Sequence, residues 1–205
     1  MVDIILNATD LELDNVKFLV RLFQNFVGGS WHPHYTVKFA QRPSELAKVL
    51  IWTKKFRIAS YLEIGAWKGG SFYPITAYLK RTQKDFTMAH CVDPHAIQLH
   101  WDAIKEKLPI SRTVGPSGRF GQARYDLILI DGDHRYEAAK NDFERLGKLG
   151  KICMFHDIRS TNLWKDEVRL YWEKEMKAQY KDYKEFCDGN GMGFGVVFPR
   201  NFPLL

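Results

Sequence analysis

The chain has 205 residues, a length typical of one domain with a sizeable core. Apolar residues make up 45% and charged residues 26%, which is ordinary for a soluble globular protein. The sequence contains no run of about 18 apolar residues, and its first residues lack the pattern of a signal peptide, so we expect no membrane association. The net charge of +6 is spread along the chain and therefore favours no nucleic-acid patch.

The cysteines are few and widely separated. Cys91, Cys153 and Cys187 form no C-x-x-C pair, which argues against a zinc knuckle or a disulfide framework. Reduced thiols are typical of the cytoplasm, so the sequence predicts a cytoplasmic protein.

The first 42 residues are predicted to form a helical extension and a lid, and residues 43–205 the main domain. Thr9 and Glu12 have the spacing of a capping box, and apolar residues follow at helical spacing. An aromatic loop containing His32 and His34 comes next. Two such histidines can ligate a metal, but packing is commoner, and we favour a flap over a substrate pocket.

Strand and helix patterns alternate along the rest of the chain. A helix begins at Pro43; the predicted strands then cover residues 58–64, 88–93, 109–114, 125–131 and 151–156, and the predicted helices 70–82, 96–107, 134–148 and 165–179. Two further strands, near 182–187 and 192–198, flank Asp188-Gly189-Asn190-Gly191, a strong hairpin signal. This order predicts an α/β fold: a Rossmann-like, doubly wound sheet of seven strands, mostly parallel, with a C-terminal antiparallel hairpin.

Acidic residues lie at the ends of four of the predicted strands. They are Glu63, Asp93, Asp131 and Asp157, the last of which is preceded by His156. Ligands of doubly wound sheets bind at the edge formed by the carboxyl ends of the strands. Because ionised carboxylates are costly to bury without partners, four of them at that edge indicate a ligand site.

The stretch from Glu63 to Ser71 is predicted to be a strand end, a glycine-rich turn and a helix start. Gly65 and Gly69 would let a ligand lie against bare backbone. The dinucleotide pattern G-x-G-x-x-G is absent, because Trp67 stands at its second glycine, and no P-loop occurs. The pattern E-x-G-x-x-x-G-x-S instead resembles the first motif of class I S-adenosyl-L-methionine (SAM)-dependent methyltransferases. An ordinary turn of a flavodoxin-like domain is the alternative.

The resemblance implies a SAM site whose candidate residues are Glu63, Gly65, Ala66, Trp67, Gly69, Ser71, Asp93, Ser117 and Asp131. Asp93 is suited to accept hydrogen bonds from two ribose hydroxyls, although Asp93 followed by Pro94 also suits a helix N-cap. Ser117, in the turn after the third strand, is placed to touch the adenine ring.

A second stretch, Ile130-Asp131-Gly132-Asp133-His134-Arg135-Tyr136-Glu137, together with Phe155-His156-Asp157, resembles one branch of these methyltransferases. The branch contains macrocin-type and mycinamicin-type sugar O-methyltransferases and cephalosporin-hydroxylase-like proteins, and the likeness covers roughly residues 44–198. It implies that Asp131 and Asp157 hold a magnesium-like ion, which would lower the pKa of an acceptor hydroxyl. His134 would then remove the proton.

Two departures from that branch leave alternatives open. His156 stands where the metal-dependent relatives carry an acid, and histidine ligates magnesium poorly, so the ion could be weaker, different or absent. Asp133 is a rival for the role of Asp131. His134 could also simply bond its own backbone at a helix start.

The sequence therefore predicts a SAM-dependent methyltransferase that performs metal-assisted O-methylation of a small hydroxylated acceptor such as a sugar. We expect His134 and Asp131 to be catalytic and Asp131, His156 and Asp157 to hold the ion, with Mg²⁺ as the first candidate and a homo-oligomer as an option. A nucleic-acid partner is disfavoured, because no Asn/Asp-Pro-Pro-aromatic motif follows the fourth strand. A non-catalytic SAM-binding protein and a different reaction on the same fold stay open.

Overall fold

The computed structural model describes residues 12–26, 41–95, 98, 100–159, 167–189 and 191–200. Its strands are β1 (Ser60–Ile64), β2 (Met88–Asp93), β3 (Ile110–Val114), β4 (Leu127–Ile130), β5 (Ile152–His156), β6 (Lys184–Phe186) and β7 (Phe194–Val197). They form one seven-stranded sheet in the order β3-β2-β1-β4-β5-β7-β6. Strands β1 to β5 pair in parallel, and β7 runs antiparallel to both β5 and β6. The predicted fold class is confirmed.

Helices cover both faces of this sheet. They are α1 (Leu13–Phe26), α2 (Pro43–Thr53), α3 (Phe72–Thr82), α4 (Trp101–Lys105), α5 (Tyr136–Arg145), α6 (Val168–Tyr171) and α7 (Lys177–Gln179), with a π-helical segment, Trp172–Met176, between the last two. Short 3₁₀ turns occupy Ser117–Arg119 and Gly147–Leu149. None of the helices in the described ranges is long and apolar enough to reach across a lipid bilayer.

The side chains of each strand alternate between two apolar cores, as the two-residue period of a strand requires. Tyr61 and Met154 pack on one face with residues of α1 to α4. Leu62 and Phe155 pack on the other face with residues of α5, α6 and the π-helical segment. Both faces of the central strands are thus buried, which explains their continuous apolar runs. The three cysteines are free thiols.

The N-terminal helix α1 contributes to the first of these cores through buried residues such as Val16, Val20 and Phe23. The division of the chain at residue 42 stays a prediction. The flap, with His32 and His34, lies outside the described residues, as does most of the predicted lid.

Helix α2 is bound to the loop of the β6–β7 hairpin by a buried carboxylate. Glu45, in its first turn, is fully buried and accepts hydrogen bonds from the backbone amides of Asp188 (2.8 Å) and Gly193 (3.3 Å). The Arg42 guanidinium donates to the carbonyl of Asp188 at 3.1 Å. These bonds fix the start of α2 relative to the sheet, and with it the nearby Gln41, two residues before the helix.

Two predicted helices are shorter than their sequence patterns indicated. The helix predicted at 96–107 is the short α4 in the structure, because His100 adopts a left-handed conformation (φ 56°) just before it; residues 96, 97 and 99 lie outside the described part. The helix predicted at 134–148 begins only at Tyr136 and ends at Arg145, followed by a 3₁₀ turn.

Candidate active site

The predicted acidic residues lie at one edge of the sheet. The backbone ladder continues one residue past the strands: the amide of Gly65 donates to the carbonyl of Val92 (2.8 Å), and the amide of Asp131 to the carbonyl of Ile64 (2.9 Å). The loops after β1, β2 and β4 therefore leave the sheet at the same level. The carboxyl groups at this edge, all with buried side chains, belong to Glu63, Asp93, Asp131 and Asp157.

The glycine turn packs directly against the loop that follows β4. Gly65 has a φ of +89°, and a Cβ atom on it would lie 2.6 Å from the carbonyl carbon of Asp131 and overlap the carbonyl oxygen. A side chain is therefore excluded there by conformation and by space. At Gly65 the space of a side chain is thus taken by the backbone of Asp131 and Gly132, and the approach of a ligand to this turn stays a prediction.

Trp67 also adopts a left-handed conformation, with a φ of 41°, which is unusual for a bulky residue. Its amide donates to Oδ2 of Asp93 (2.7 Å), and its carbonyl accepts from Nε2 of Gln98 (2.9 Å). These two bonds hold the strained backbone. The indole is 49% exposed, and the Lys68 ammonium lies 4.9 Å from the ring centre.

Glu63 stabilises the turn through a hydrogen bond with Ser71, the residue at its end. Its side chain is fully buried, and its two carboxylate oxygens accept hydrogen bonds from the hydroxyls of Tyr61 and Ser71. Ser71, a predicted SAM residue, thus directs its side chain at Glu63. Burial raises the pKa of Glu63 to about 8, and the charges of Asp131 and Asp93 act in the same direction against the two hydroxyl bonds.

This raised pKa predicts a pH-dependent stability. Because the carboxyl of Glu63 titrates near 4.5 when exposed and near 8 when folded, its contribution is complete below about pH 4.5 and is lost as the pH rises to about 8. We expect the cofactor-free wild type to lose a few kcal/mol across this range relative to Glu63→Gln, since one pKa unit corresponds to about 1.4 kcal/mol. Urea unfolding of both proteins between pH 5 and pH 8.5 measures the difference. Parallel stability curves would contradict it.

Asp93 and Ser117 have protein partners. Oδ1 of Asp93 accepts a bond from the amide of His95 (2.8 Å), the local geometry that the capping alternative describes. A carboxylate has further lone pairs, so ribose binding remains compatible with these bonds. Ser117, in its 3₁₀ turn, donates to Oδ1 of Asp142. The ribose and adenine roles stay predictions.

The four predicted catalytic and metal residues converge. Nδ1 of His156 lies 3.1 Å from Oδ1 of Asp131 and 3.0 Å from Oδ2 of Asp157. Nδ1 of His134 lies 3.3 Å from the same Oδ2 of Asp157. The His156 side chain is completely buried, whereas that of His134 is 32% exposed and accessible to a bound molecule.

The donor atoms of this cluster fit a cation. One donor atom each from Asp131, His156 and Asp157 lie within 4.8 Å of one another. Oδ2 of Asp157 is buried and forms no hydrogen bond with any residue that the structure describes, despite its two imidazole neighbours. The two imidazoles lie at ion-pair distance from this oxygen but form no aligned bond with it, and a metal ion would supply a directed partner.

Charge balance in the cluster also involves His156 itself. Burial disfavours the imidazolium, but the adjacent carboxylates of Asp131 and Asp157 outweigh burial and raise the pKa of His156 to about 10. Without a metal ion, the imidazole therefore carries a proton at neutral pH and balances one of the two carboxylates. A bound ion would replace this proton.

Sequence reasoning missed Gln41, whose amide donates to Oδ2 of Asp131. The carbonyl of Gln41 accepts from Nε2 of Gln24 at 3.0 Å, so α1 holds this residue in place. A lone glutamine before a helix carries no sequence signal. Asp133, the rival of Asp131, instead pairs with Arg135 at the surface, and this guanidinium lowers its pKa.

One family model matches part of the chain. A family model described as a methyltransferase domain matches residues 62–158, a little under half of the chain. None of the curated protein sequences matches. This match includes the glycine turn, the end of β4 and the end of β5, where the candidate site lies.

Solved structures of methyltransferases share the fold. A protein from Pyrococcus horikoshii, proposed to be an RNA methyltransferase, is 10% identical with a TM-score of 0.59 over 91% of this chain and 97% of its own. An O-methyltransferase from Bacillus cereus in complex with SAH is 12% identical with a TM-score of 0.56, over 90% and 91%. The O-methyltransferase TomG from Streptomyces achromogenes, involved in tomaymycin synthesis and in complex with SAM, is 14% identical with a TM-score of 0.53, over 91% and 98%. Residues 62–158 are thus similar to a methyltransferase domain, and the whole chain has a fold that it shares with SAH-bound and SAM-bound methyltransferases.

Proposed function

We propose that this protein transfers the methyl group of SAM to a hydroxyl of a small acceptor such as a sugar, with a divalent ion assisting. The observation that carries the proposal is the convergence of Asp131, His134, His156 and Asp157 beside the glycine turn. The buried carboxyls at this edge also suit a cofactor whose sulfonium is positively charged.

His134 is the proposed general base. Its imidazole is accessible, and Asp157 stabilises the positive charge that the imidazole gains when it takes the hydroxyl proton. The acceptor oxygen then forms a bond to the methyl carbon while the bond between that carbon and sulfur breaks. The products are a methyl ether and S-adenosylhomocysteine, and the proton leaves from His134 to solvent.

The remaining residues bind and orient the reactants. Asp131, His156 and Asp157 would hold the divalent ion, which supplies Lewis-acid polarisation of the acceptor hydroxyl when it is bound. Gln41 keeps the carboxylate of Asp131 in position. The glycine turn and Asp93 would hold the methionine and ribose parts of SAM close to the acceptor, and such alignment supplies much of the rate of a transfer reaction.

The alternatives predict different products. The neighbours from Bacillus cereus and Streptomyces achromogenes carry the name O-methyltransferase, which agrees with a hydroxyl acceptor. The neighbour from Pyrococcus horikoshii makes RNA the rival acceptor. A non-catalytic protein would bind SAM and yield no methylated product.

A cytoplasmic location and a homo-oligomer stay predictions.

Cofactor binding gives the first test. We expect SAM to bind in calorimetry, and Asp93→Ala to weaken binding at least 10-fold, because charge-assisted hydrogen bonds contribute about 1.5–3 kcal/mol each. Asp85→Ala is the matched control, since its exposed carboxylate pairs with Arg57 away from the strand ends. No heat on SAM addition would remove the proposal, and an unchanged affinity in Asp93→Ala would remove the ribose assignment.

A product screen tests the acceptor class. The wild type is incubated with methyl-labelled SAM, each of several divalent ions, and a panel of sugars, phenols and RNA oligonucleotides. Mass spectrometry should find label on a hydroxyl of a small molecule. Label on RNA alone would reassign the acceptor, and SAM binding without any labelled product would favour the non-catalytic alternative.

A further inference from the structure

We propose that His156 makes this metal site select a transition-metal ion, such as Mn²⁺, Co²⁺ or Zn²⁺, over Mg²⁺. The inference rests on the proposed function, because it concerns the ion assigned there to Asp131, His156 and Asp157. It replaces the initial expectation of a magnesium-like ion with one that follows from the donor set of this chain.

The first argument is the position of the imidazole nitrogen. Nδ1 of His156 lies between the two carboxylates, 3.1 Å from Asp131 and 3.0 Å from Asp157. Metal–ligand bonds of about 2.1 Å place neighbouring ligand atoms roughly 3.0–3.4 Å apart. The spacing of this nitrogen from each carboxylate thus suits a shared ion, and the three donor atoms lie within 4.8 Å of one another.

The second argument is that packing fixes the position of the His156 imidazole. Its side chain has no exposed surface, and its ring lies 4.8 Å from the ring of Phe194, the residue paired with it between β5 and β7. Exchange of the imidazole for water would require the strand end to move. The ring is therefore a fixed member of the donor set.

The third argument is the chemistry of that set. Mg²⁺ prefers oxygen ligands in near-octahedral geometry and retains several waters, whereas imidazole suits first-row transition metals. One nitrogen and two carboxylate oxygens form a donor set that binds Mn²⁺, Co²⁺ and Zn²⁺ well. Oδ2 of Asp157, in a side chain that is 5% exposed, lies 3.0 Å from Nδ1 of His156 but has no aligned hydrogen bond among the described residues, which suits a bound cation.

The test measures ion affinity without SAM or acceptor. Metal-free wild type is titrated with Co²⁺ and with Mg²⁺, and the ratio of the two dissociation constants is compared with that of His156→Glu, which restores an all-oxygen set. Because any such site binds Co²⁺ more tightly than Mg²⁺ to some degree, the change in the ratio is the decisive quantity. We expect the preference for Co²⁺ to fall at least 10-fold in the variant, and the visible absorption spectrum of bound Co²⁺ to change.

Two control variants show whether the ions bind at the cluster of Asp131, His156 and Asp157. Asp157→Asn should weaken the binding of both ions, and His90→Ala, which removes a histidine bonded to Ser111 and Thr113 instead, should leave the ratio unchanged. If His156→Glu fails to fold, His156→Asn provides an amide oxygen instead. This variant should also have a weaker preference for Co²⁺ over Mg²⁺ than the wild type.

An unchanged ratio in both His156 variants, Co²⁺ binding that survives Asp157→Asn, or no binding of either ion would overturn the inference. Selective ion binding combined with an absence of methyl transfer would instead leave the inference standing and remove the proposed function.

Discussion

Replacement of Gly65 by alanine should abolish detectable SAM binding and destabilise the protein by about 3 kcal/mol or more. A side chain at a φ of +89° is strained, which costs on the order of 1–3 kcal/mol, and its Cβ would overlap the backbone carbonyl of Asp131. The overlap adds a cost of about 1–3 kcal/mol, because backbone cannot move aside as a flexible side chain can. The turn and the loop after β4 would have to separate.

Gly70→Ala provides the matched control in the same turn. Within the described part of the chain, no atom would lie within 4 Å of a Cβ on Gly70, and the φ of Gly70 is outside the left-handed range. Its unfolding free energy should therefore change by no more than about 0.5 kcal/mol. Urea unfolding and SAM calorimetry of both variants make the comparison. Equal losses of stability and SAM affinity in the two variants would contradict the prediction. The contact between Gly65 and Asp131 would then not be the reason why the turn requires glycine.

His134→Ala should lower the rate of methyl transfer by about 10²- to 10⁴-fold, the usual contribution of a general base. SAM affinity should remain within a few-fold of the wild type, because the proposed role of the imidazole concerns only the acceptor hydroxyl. Single-turnover rates with the acceptor identified by the product screen, together with SAM calorimetry, measure both quantities.

The neighbouring Arg135→Ala tests whether any change in this loop slows the reaction. Arg135 is 76% exposed in its side chain and pairs with Asp133 at the surface, where ion pairs contribute little to stability. Its removal should leave the rate nearly unchanged. A rate in His134→Ala close to that of the wild type would exclude the base role and support the alternative of a residue that only shapes the start of α5.

The sheet could be predicted from sequence because its signals are local. Strand β2 has the predicted bounds, 88–93, because its apolar run ends at Asp93, which Pro94 follows. The Asp188-Gly189 turn predicted the antiparallel pairing of β6 with β7. The convergence of Asp131 and Asp157 followed from the rule that parallel strands end at one edge.

The interactions that the sequence did not predict depend on distant partners. Gln41 meets Asp131 across 90 positions of the chain, a contact that no local pattern encodes. Helix α4 begins only at Trp101, after the left-handed His100. Trp101 stacks on Phe72 (ring centres 6.3 Å apart) and lies under the guanidinium of Arg112 (4.6 Å), contacts that a local helix pattern does not encode.

One role of Glu63 could have been foreseen. Tyr61 and Glu63 are two positions apart in a strand, so they share a face, and a tyrosine hydroxyl is a natural partner for a buried carboxyl. The motif E-x-G-x-x-x-G-x-S predicts a cofactor role for Glu63 and does not indicate this internal hydrogen bond. The structure places this carboxyl below the turn, which it supports through Ser71.

The position of β7 has a consequence for biosynthesis. Although β7 follows β6 in the chain, it lies between β5 and β6, so β5 has an open edge until residues 194–197 have left the ribosome. His156 at the end of β5 pairs with Phe194, so the strand that carries this imidazole lacks its antiparallel neighbour until then. An exposed edge of apolar residues is prone to pair with other chains. Between the synthesis of β5 and that of β7, protection of this edge by a chaperone would therefore be of greatest value.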